Sequence, residues 1–597
     1  MRKIVLFLLR VSLCLLIAFG VQKILFVAIN HQLGGALTVG DWLQVVLHGV
    51  RLDVVTTCYL MTVPILMCIV GIFCKNFNLR KLFAVWFVPI SIIVSLAFLG
   101  DAILYHFWGA KLDAADFLYA KNPKDMLASL SWGMLAVAVL AIATLSLGLF
   151  LGLRFFTPKT FQPIKNKWLA GLALVALLAL DVIGMRGSLQ ESTANPSYAY
   201  FSKNQFLNHS ALNPLFNILH SLSKRENLAD EFYFYSDEEI SELTDSLYKS
   251  GDDISDTLLN CTNPNVLLLV WEGGGRLFLD NDSVATGFAK LKEDGVFFDN
   301  VYANNFRTDR GLVSLLNGWL GLPTTSVMKM SGRCKSLPSL AKSLRSKGFH
   351  SAFYYGGDID FTNMRGYLYE TGYEQVYGGD HYAWAPVKSK WGVDDEFFLQ
   401  TVIDDCPQEP FFATFLTLSS HEPWEVPYNK MKDEKANAFA YTDSCIYQLV
   451  QQLRARPIWK NLLLIIVPDH GVAWQGFGPA SMEVAKIPML WLGGAVREPK
   501  VVDCLMNQSD IAATLLSQMM IKHDGFIFSR NVLSKDYKPS VVTHAYKNGM
   551  NVKRGENCMQ FSLVDGNVVA NESGYEEEAL RLVKAILQRT YQATSKL

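Results

Sequence analysis

What this 597-residue chain has little of is charge: Asp, Glu, Lys and Arg make up 18% of it, where soluble proteins average about 25%. It also lacks an excess of either sign. Fifty-four Lys and Arg face 55 Asp and Glu, a formal net charge of -1, which excludes the basic face a nucleic-acid binder presents. No shortage of apolar residues points to disorder, since half the chain is hydrophobic. None of the 10 cysteines stands in a C-x-x-C pair, so a zinc ribbon or dithiol redox motif is absent. What the chain has instead is apolarity, with a mean hydropathy of +0.19. Length and hydropathy together leave a membrane protein, or a membrane segment joined to a globular domain.

The apolar residues concentrate before residue 187. Five runs stand out: Ile4 to Asn30, Val54 to Cys74, Leu82 to Gly100, one within Met126 to Leu153, and Trp168 to Met185. Each is long enough to cross a hydrocarbon core of roughly 30 Å at about 1.5 Å per residue. Arg10 and Lys23 interrupt the first run near its ends, where long side chains are expected to snorkel. With the N-terminus cytoplasmic, the inner segments hold Arg2, Lys3, Lys75, Arg80, Lys81, Arg154, Lys159, Lys165 and Lys167. The outer segments hold Arg51, Lys111, Lys121 and Lys124. Nine cations against four favour that orientation and put everything after Arg186 outside the cytoplasm. Cys261, Cys334, Cys406, Cys445, Cys504 and Cys558 then lie where up to three disulfides are permitted, free buried thiols being the alternative.

Residues 187–262 are polar, punctuated by Pro196 and Pro214, and read as an extracytoplasmic helical linker with a short helix over Asp237 to Leu247. From residue 263 the pattern changes. Val266 to Trp271, Phe411 to Leu418, Leu462 to Val467 and Pro488 to Leu492 are short continuous apolar runs, as in strands buried on both faces. Helical patterns alternate with them at Leu312 to Leu316, Leu337 to Ser346, Ala436 to Arg454 and Ser509 to Met519. The fold class is therefore α/β: a five-helix transmembrane domain over 1–186, then an extracytoplasmic domain with a mostly parallel sheet over 263–537. Turn signals at Asn548-Gly549 and Asp565-Gly566, then a helix from Glu576 to Tyr591, predict that 538–597 completes the domain with a hairpin and a helix.

In such sheets chemistry gathers where strands end. Glu272 leaves the first strand into Gly273-Gly274-Gly275, and Asp469-His470 leave the strand at 462–467. Thr308 lies in Asn304-Asn305-Phe306-Arg307-Thr308-Asp309-Arg310-Gly311, just before a helix, where N–H groups and the helix dipole favour an anion. Two carboxylates, an imidazole and a hydroxyl are one divalent cation's worth of ligands, and that cation would activate the hydroxyl as a nucleophile. Taken singly, each motif also fits a turn, a chance pair or a helix cap.

In order and placement these residues resemble the lipoteichoic acid synthase (phosphoglycerol transferase) group of the alkaline phosphatase/sulfatase superfamily. The resemblance implies five spans, a helical linker and an alkaline phosphatase/sulfatase-like domain. It implies one divalent metal, Mn²⁺ with Zn²⁺ or Mg²⁺ as alternatives, held by Glu272, Thr308, Asp469 and His470. It implies that the catalytic Thr308 attacks phosphatidylglycerol, releases diacylglycerol, and passes a covalently held glycerophosphate to an envelope glycan or glycolipid at a bacterial inner membrane. Thr417-Leu418-Ser419-Ser420-His421-Glu422-Pro423 resembles the family strand ending in a substrate-binding His, here His421. Phe361-Thr362-Asn363-Met364-Arg365 resembles a segment beside the glycerophosphate, which makes Asn363 and Arg365 substrate-binding candidates. Thr362 stands where the synthase has Trp, and Arg365 needs a one-residue shift. Trp391-Gly392-Val393-Asp394-Asp395-Glu396 is similar to a family packing and turn element, and Ser509-Asp510-Ile511 to a helix start capped by Ser509. A phosphoethanolamine transferase, usually a zinc enzyme, shares the topology and the Thr. A sulfatase would need C/S-x-P-x-R, and Cys334-Lys335-Ser336-Leu337-Pro338 lacks that spacing. A non-catalytic scaffold would have lost a ligand, and all four are present.

Overall fold

The structure is a computed structural model that describes all residues except 74–78, 110, 113–131, 159–163, 190–191, 224–227, 250, 252, 387–388, 539–540, 565 and 572–575. The chain divides into two compact units, Met1–Arg225 and Glu226–Leu597, so the break falls inside the stretch expected as a linker.

Among the described residues of the first unit, five helices are long and apolar enough to cross a membrane. They are α1 (Arg2–Asn30), α2 (Val39–Phe73), α3 (Leu79–Trp108), α4 (Trp132–Phe156) and α5 (Lys167–Arg186). The part of the fourth predicted run before residue 132 lies outside the described helix. Helix α2 starts well before the predicted apolar run; at 35 residues it is about 52 Å long, beyond the thickness of a hydrocarbon core. Two short helices, α6 (Gln205–Ala211) and α7 (Pro214–Ser223), pack on the same bundle. Lys23 does not snorkel. It is 3% exposed and ion-paired with Asp53, which is 2% exposed. Asp53 also accepts a hydrogen bond from Asn213 Nδ2 at 2.9 Å. A cation buried in apolar surroundings is tolerated only when paired and hydrogen-bonded, and the pair was hidden because its members lie 30 residues apart on two helices. Lys111 and Asp101 form a second buried pair.

Early in the second unit lies α8 (Asp237–Thr244), whose first turn is closed by Ser236 and Glu239 as a capping box. Its main sheet contains β1 (Asn265–Trp271), β2 (Val296–Tyr302), β3 (His350–Tyr355), β4 (Gln375–Tyr377), β5 (Phe411–Leu416), β6 (Leu462–Pro468), β7 (Lys486–Leu492), β8 (Lys500–Val502) and β9 (Met506–Asn507). The order is β4-β3-β5-β1-β6-β7-β2-β8, with β9 beside β2. From β4 to β6 every pairing is parallel, while β7 runs antiparallel to both β6 and β2. Strands β1 and β6 are buried along their whole length, which is why they read as unbroken apolar runs. Helix α9 (Thr308–Asn317) and the long α10 (Glu434–Arg454) follow β2 and β5. Helix α11 (Asp510–Gln518) differs from expectation at its start. Ser509 makes no side-chain capping bond; instead the buried Asp510 pairs with Arg530 at 2.6 Å and accepts from Asn507 N at 2.8 Å. The predicted hairpin is part of a four-stranded antiparallel sheet, β10 (Val542–Tyr546), β11 (Gly549–Arg554), β12 (Asn557–Ser562) and β13 (Val568–Asn571). Helix α12 (Glu576–Ser595) packs on it. Asp565 lies outside the described residues. Cys261, Cys334, Cys406, Cys445 and Cys504 are unbridged thiols.

Candidate active site and metal centre

Sheet register builds the site. Trp271 of β1 pairs with Pro468 of β6, so the next residues, Glu272 and Asp469, leave the sheet side by side. Val270 pairs with Leu416 of β5, and Thr417 just beyond accepts the Glu272 N–H on its Oγ1 at 3.0 Å. Ser420 Oγ donates to the Glu272 carbonyl at 2.6 Å. Gly273 then turns the chain away with φ +67°, the left-handed region that favours glycine.

Three side chains converge at these strand ends, and one atom from each of Glu272, Asp469 and His470 lies within 4.8 Å of the others. All three residues are buried. His470 Nε2 is 3.4 Å from Glu272 Oε1 and 3.6 Å from Asp469 Oδ2. Its Nδ1 lies 3.0 Å from the Gly471 carbonyl. A carbonyl can only accept, so Nδ1 carries the hydrogen and neutral His470 presents a lone pair on Nε2. Asp469 Oδ1 accepts from Gly273 N and His470 N, both at 2.9 Å. Asp469 Oδ2 is buried with no hydrogen-bond partner.

Thr308 completes the cluster. It is the first residue of α9, after Arg307 in the N-cap position. Its hydroxyl donates to Glu272 Oε2 at 3.0 Å and lies 3.5 Å from His470 Nε2. The helix can reach this close because residue 311 is glycine: a Cβ there would sit 2.2 Å from the Asp469 carbonyl oxygen.

The electrostatics describe a cation site. Burial pushes the Glu272 carboxyl up, but the hydrogen bond and charge of His470 outweigh it and hold the group at about 2. Burial and the Glu272 charge push Asp469 up to about 7. Burial pulls His470 down, yet Asp469 and Glu272 outweigh it and raise the ring to about 10. A proton on His470 thus offsets part of the carboxylate charge that a divalent cation would offset in full. The orphaned Asp469 Oδ2, the oriented His470 Nε2, Glu272 and the Thr308 hydroxyl fit such an ion in number and chemistry.

The remaining predicted residues are placed as follows. His421 is partly exposed, its Nδ1 2.7 Å from the Glu422 carbonyl, and its charge acts on Glu272. Asn363 Nδ2 donates to the Met328 carbonyl at 2.8 Å, and Arg365 Nε is 2.7 Å from Asp360 Oδ1. Arg365 thus holds its own loop, and Asn363 ties that loop to the segment at Met328. Sequence reasoning missed four residues that shape the site. Thr417 anchors Glu272. Gly311 admits α9, and a glycine inside a helix pattern was the available signal. Tyr355, at the end of β3, has its phenol raised by burial and by the Glu272 charge. Asp395, in the segment expected to serve packing, accepts from Leu418 N at 2.8 Å, Ser419 N at 3.1 Å and Thr442 Oγ1 at 2.9 Å. It fixes the loop that leads to His421, and burial pushes it up to about 6.

Residues 264–521 match the Sulfatase family. Lipoteichoic acid synthase 1 of Bacillus subtilis is 22% identical over 339 residues, 51% of each chain. Phosphoglycerol transferase I of Xanthomonas euvesicatoria is 24% identical over 226 residues, 34% of this chain and 32% of the relative. The chain spans about half the length, or less, of the curated relatives it matches. A crystal structure of an alkaline phosphatase superfamily protein from Vibrio parahaemolyticus superposes with a TM-score of 0.53 at 21% identity, covering 62% of this chain and 98% of the other. That likeness establishes the fold.

Proposed function

We propose that this chain, a sulfatase-family domain behind five apolar helices, is a membrane-bound phosphoglycerol transferase that works through a covalent Thr308 intermediate. One observation carries the reading: a threonine hydroxyl at a helix N-terminus, 3.0 Å from a buried carboxylate and 3.5 Å from an imidazole nitrogen at the sheet's carboxyl edge. The relatives named lipoteichoic acid synthase and phosphoglycerol transferase support the donor class. Glu272, Thr308, Asp469 and His470 would hold one divalent metal, Mn²⁺ by resemblance. When bound, it neutralises phosphate charge and acidifies a coordinated hydroxyl.

The chain's own residues do the rest. Thr308 Oγ1 attacks the phosphorus of phosphatidylglycerol and gives up its proton to water, because Glu272, held at about 2, accepts its hydrogen bond but is too weak a base to keep the proton. The P–O bond to diacylglycerol breaks, and protonated His421 supplies the proton for the leaving alcohol. A glycerophosphodiester then sits on Thr308. An envelope glycan or glycolipid hydroxyl attacks it, giving its proton to His421, while Thr308 leaves and takes a proton from water. The α9 N-terminus stabilises the phosphate charge throughout. By resemblance, Asn363 and Arg365 are the candidates to bind the headgroup. The excess of Lys and Arg in the segments assigned to the cytoplasm supports an N-terminus inside and a catalytic unit outside.

The test is mass spectrometry of the metal-loaded protein after exposure to mixed phospholipids. A glycerophosphate adduct on Thr308, lost in Thr308→Ala together with diacylglycerol release, supports the reading. A phosphoethanolamine adduct, or full activity of Thr308→Ala, overturns it.

A further inference from the structure

Between the ends of β3 and β5 sits a contact that the proposed mechanism does not use. The Glu422 carbonyl oxygen is shared by two ring nitrogens: Trp391 Nε1 donates to it at 2.5 Å, and His421 Nδ1 lies 2.7 Å from it. Because a carbonyl only accepts, both nitrogens carry hydrogen, and neutral His421 is held as the Nδ1–H tautomer with its lone pair on Nε2. The two rings also touch, with centroids 4.7 Å apart and planes inclined by 60°. Phe361 backs the indole edge-on at 5.8 Å, and the Lys390 ammonium lies 5.5 Å from its centroid.

The Trp391 backbone is fixed to the other strand end. Gly392 bridges Gly357, and Val393 N donates to the Gly356 carbonyl at 3.1 Å, just past the end of β3. Gly392 has φ +155°, and a Cβ there would meet the Gly356 carbonyl oxygen at 2.3 Å. The indole therefore reaches from a segment tied to β3 across to the loop after β5. The His421 backbone is held by His421 N donating to the Leu418 carbonyl at 3.0 Å and by Trp424 N donating to the His421 carbonyl at 2.9 Å, but among the described residues the ring's one hydrogen bond is to the adjacent residue's carbonyl.

We infer that Trp391 is a positioning residue for His421: through the shared Glu422 carbonyl and the ring contact it fixes the tautomer and tilt that leave Nε2 available to the leaving and attacking oxygens. This rests on the reading of His421 as the proton carrier. A packing role alone would require only the ring, whereas this role requires the indole N–H as well.

The experiment compares wild type, Trp391→Phe, Trp391→Ala and His421→Ala as full-length, Mn²⁺-loaded protein. Diacylglycerol release from phosphatidylglycerol in mixed detergent micelles is measured against donor concentration. Positioned acid–base groups contribute roughly 10²–10⁴-fold, so Trp391→Phe should lower kcat about tenfold and Trp391→Ala about a hundredfold, with KM nearly unchanged. In ¹⁵N-histidine spectra, the single Nδ1–H signature of His421 should become a tautomer mixture in Trp391→Ala, at an unchanged melting temperature. Wild-type kcat and tautomer in both Trp391 variants, with His421→Ala inactive, overturn the assignment of Trp391 alone. A fully active His421→Ala overturns the role of His421 and this inference with it. A fall confined to KM, or one tracking a lower melting temperature, also overturns it.

Discussion

Gly311→Ala is the perturbation whose outcome the geometry determines most sharply. Gly311 lies inside α9, three residues after Thr308. A Cβ at this position would sit 2.2 Å from the Asp469 carbonyl oxygen and 2.8 Å from its carbonyl carbon. Real Cβ contacts stop at about 3.0 Å, so the two backbones must separate by about 0.8 Å or more. Neither atom belongs to a flexible side chain, and both belong to Asp469, a proposed ligand residue. Two effects of opposite sign then compete. Alanine in a helix interior gains about 1 kcal/mol over glycine, while overpacking a close-packed contact costs about 1–3 kcal/mol. With a backbone clash this deep the cost wins. Misplacing a reacting group by about 1 Å can lower the rate on the order of 10²-fold, and Thr308 rides on the displaced helix. Gly311→Ala should therefore melt lower than wild type and lose about a hundredfold in diacylglycerol release. Gly148→Ala in α4, where nothing lies within 4 Å of the added carbon, should keep wild-type activity and melt no lower than wild type. If Gly311→Ala melts higher and keeps its activity, the close approach of α9 to Asp469 is wrong.

Metal loading should depend on pH. His470, raised to about 10, holds a proton that a cation must displace, so the apparent Mn²⁺ Kd should tighten about tenfold per pH unit between pH 7 and 9. Isothermal titration in buffers of different ionisation enthalpy checks the proton release, and a pH-independent Kd refutes it. Arg530→Met leaves Asp510 buried without its cation and should cost about 3–5 kcal/mol in denaturant unfolding; an unchanged midpoint refutes the pair's role. Lys23→Met should destabilise the helical unit by a similar amount, and adding Asp53→Leu should restore most of it. If the double variant is worse than the single, the ion pair is not the reason.

Much of the site was readable because burial writes itself into the sequence. Val266 to Trp271 and Leu462 to Val467 are strands covered on both faces, so they appear as unbroken apolar runs, and a polar residue at the end of such a run stands out. Strand β2 was missed because Asp299 and Asn300 interrupt it at half-buried positions. Strand β3 was missed because His350, Ser351 and three aromatic positions among the six do not form an apolar run. The capping role expected of Ser509 failed for another reason: an Asp at a helix start reads the same whether it faces solvent or an arginine 20 residues on.

The sequence by itself determined the two-part character of the chain, its five apolar helices and the strand-end placement of Glu272, Asp469 and His470, since these depend on local composition and short-range periodicity. The tertiary structure decided what lies beside what. Local propensity carries no direction, so the antiparallel course of β7 was invisible. Nor does it carry distance: only the pairing of Trp271 with Pro468 brings Glu272 to Asp469. Only packing puts Gly311 against the Asp469 carbonyl and Lys23 against Asp53. Each of these is a contact between residues far apart in the chain, fixed by shape and by the cost of leaving a buried charge alone.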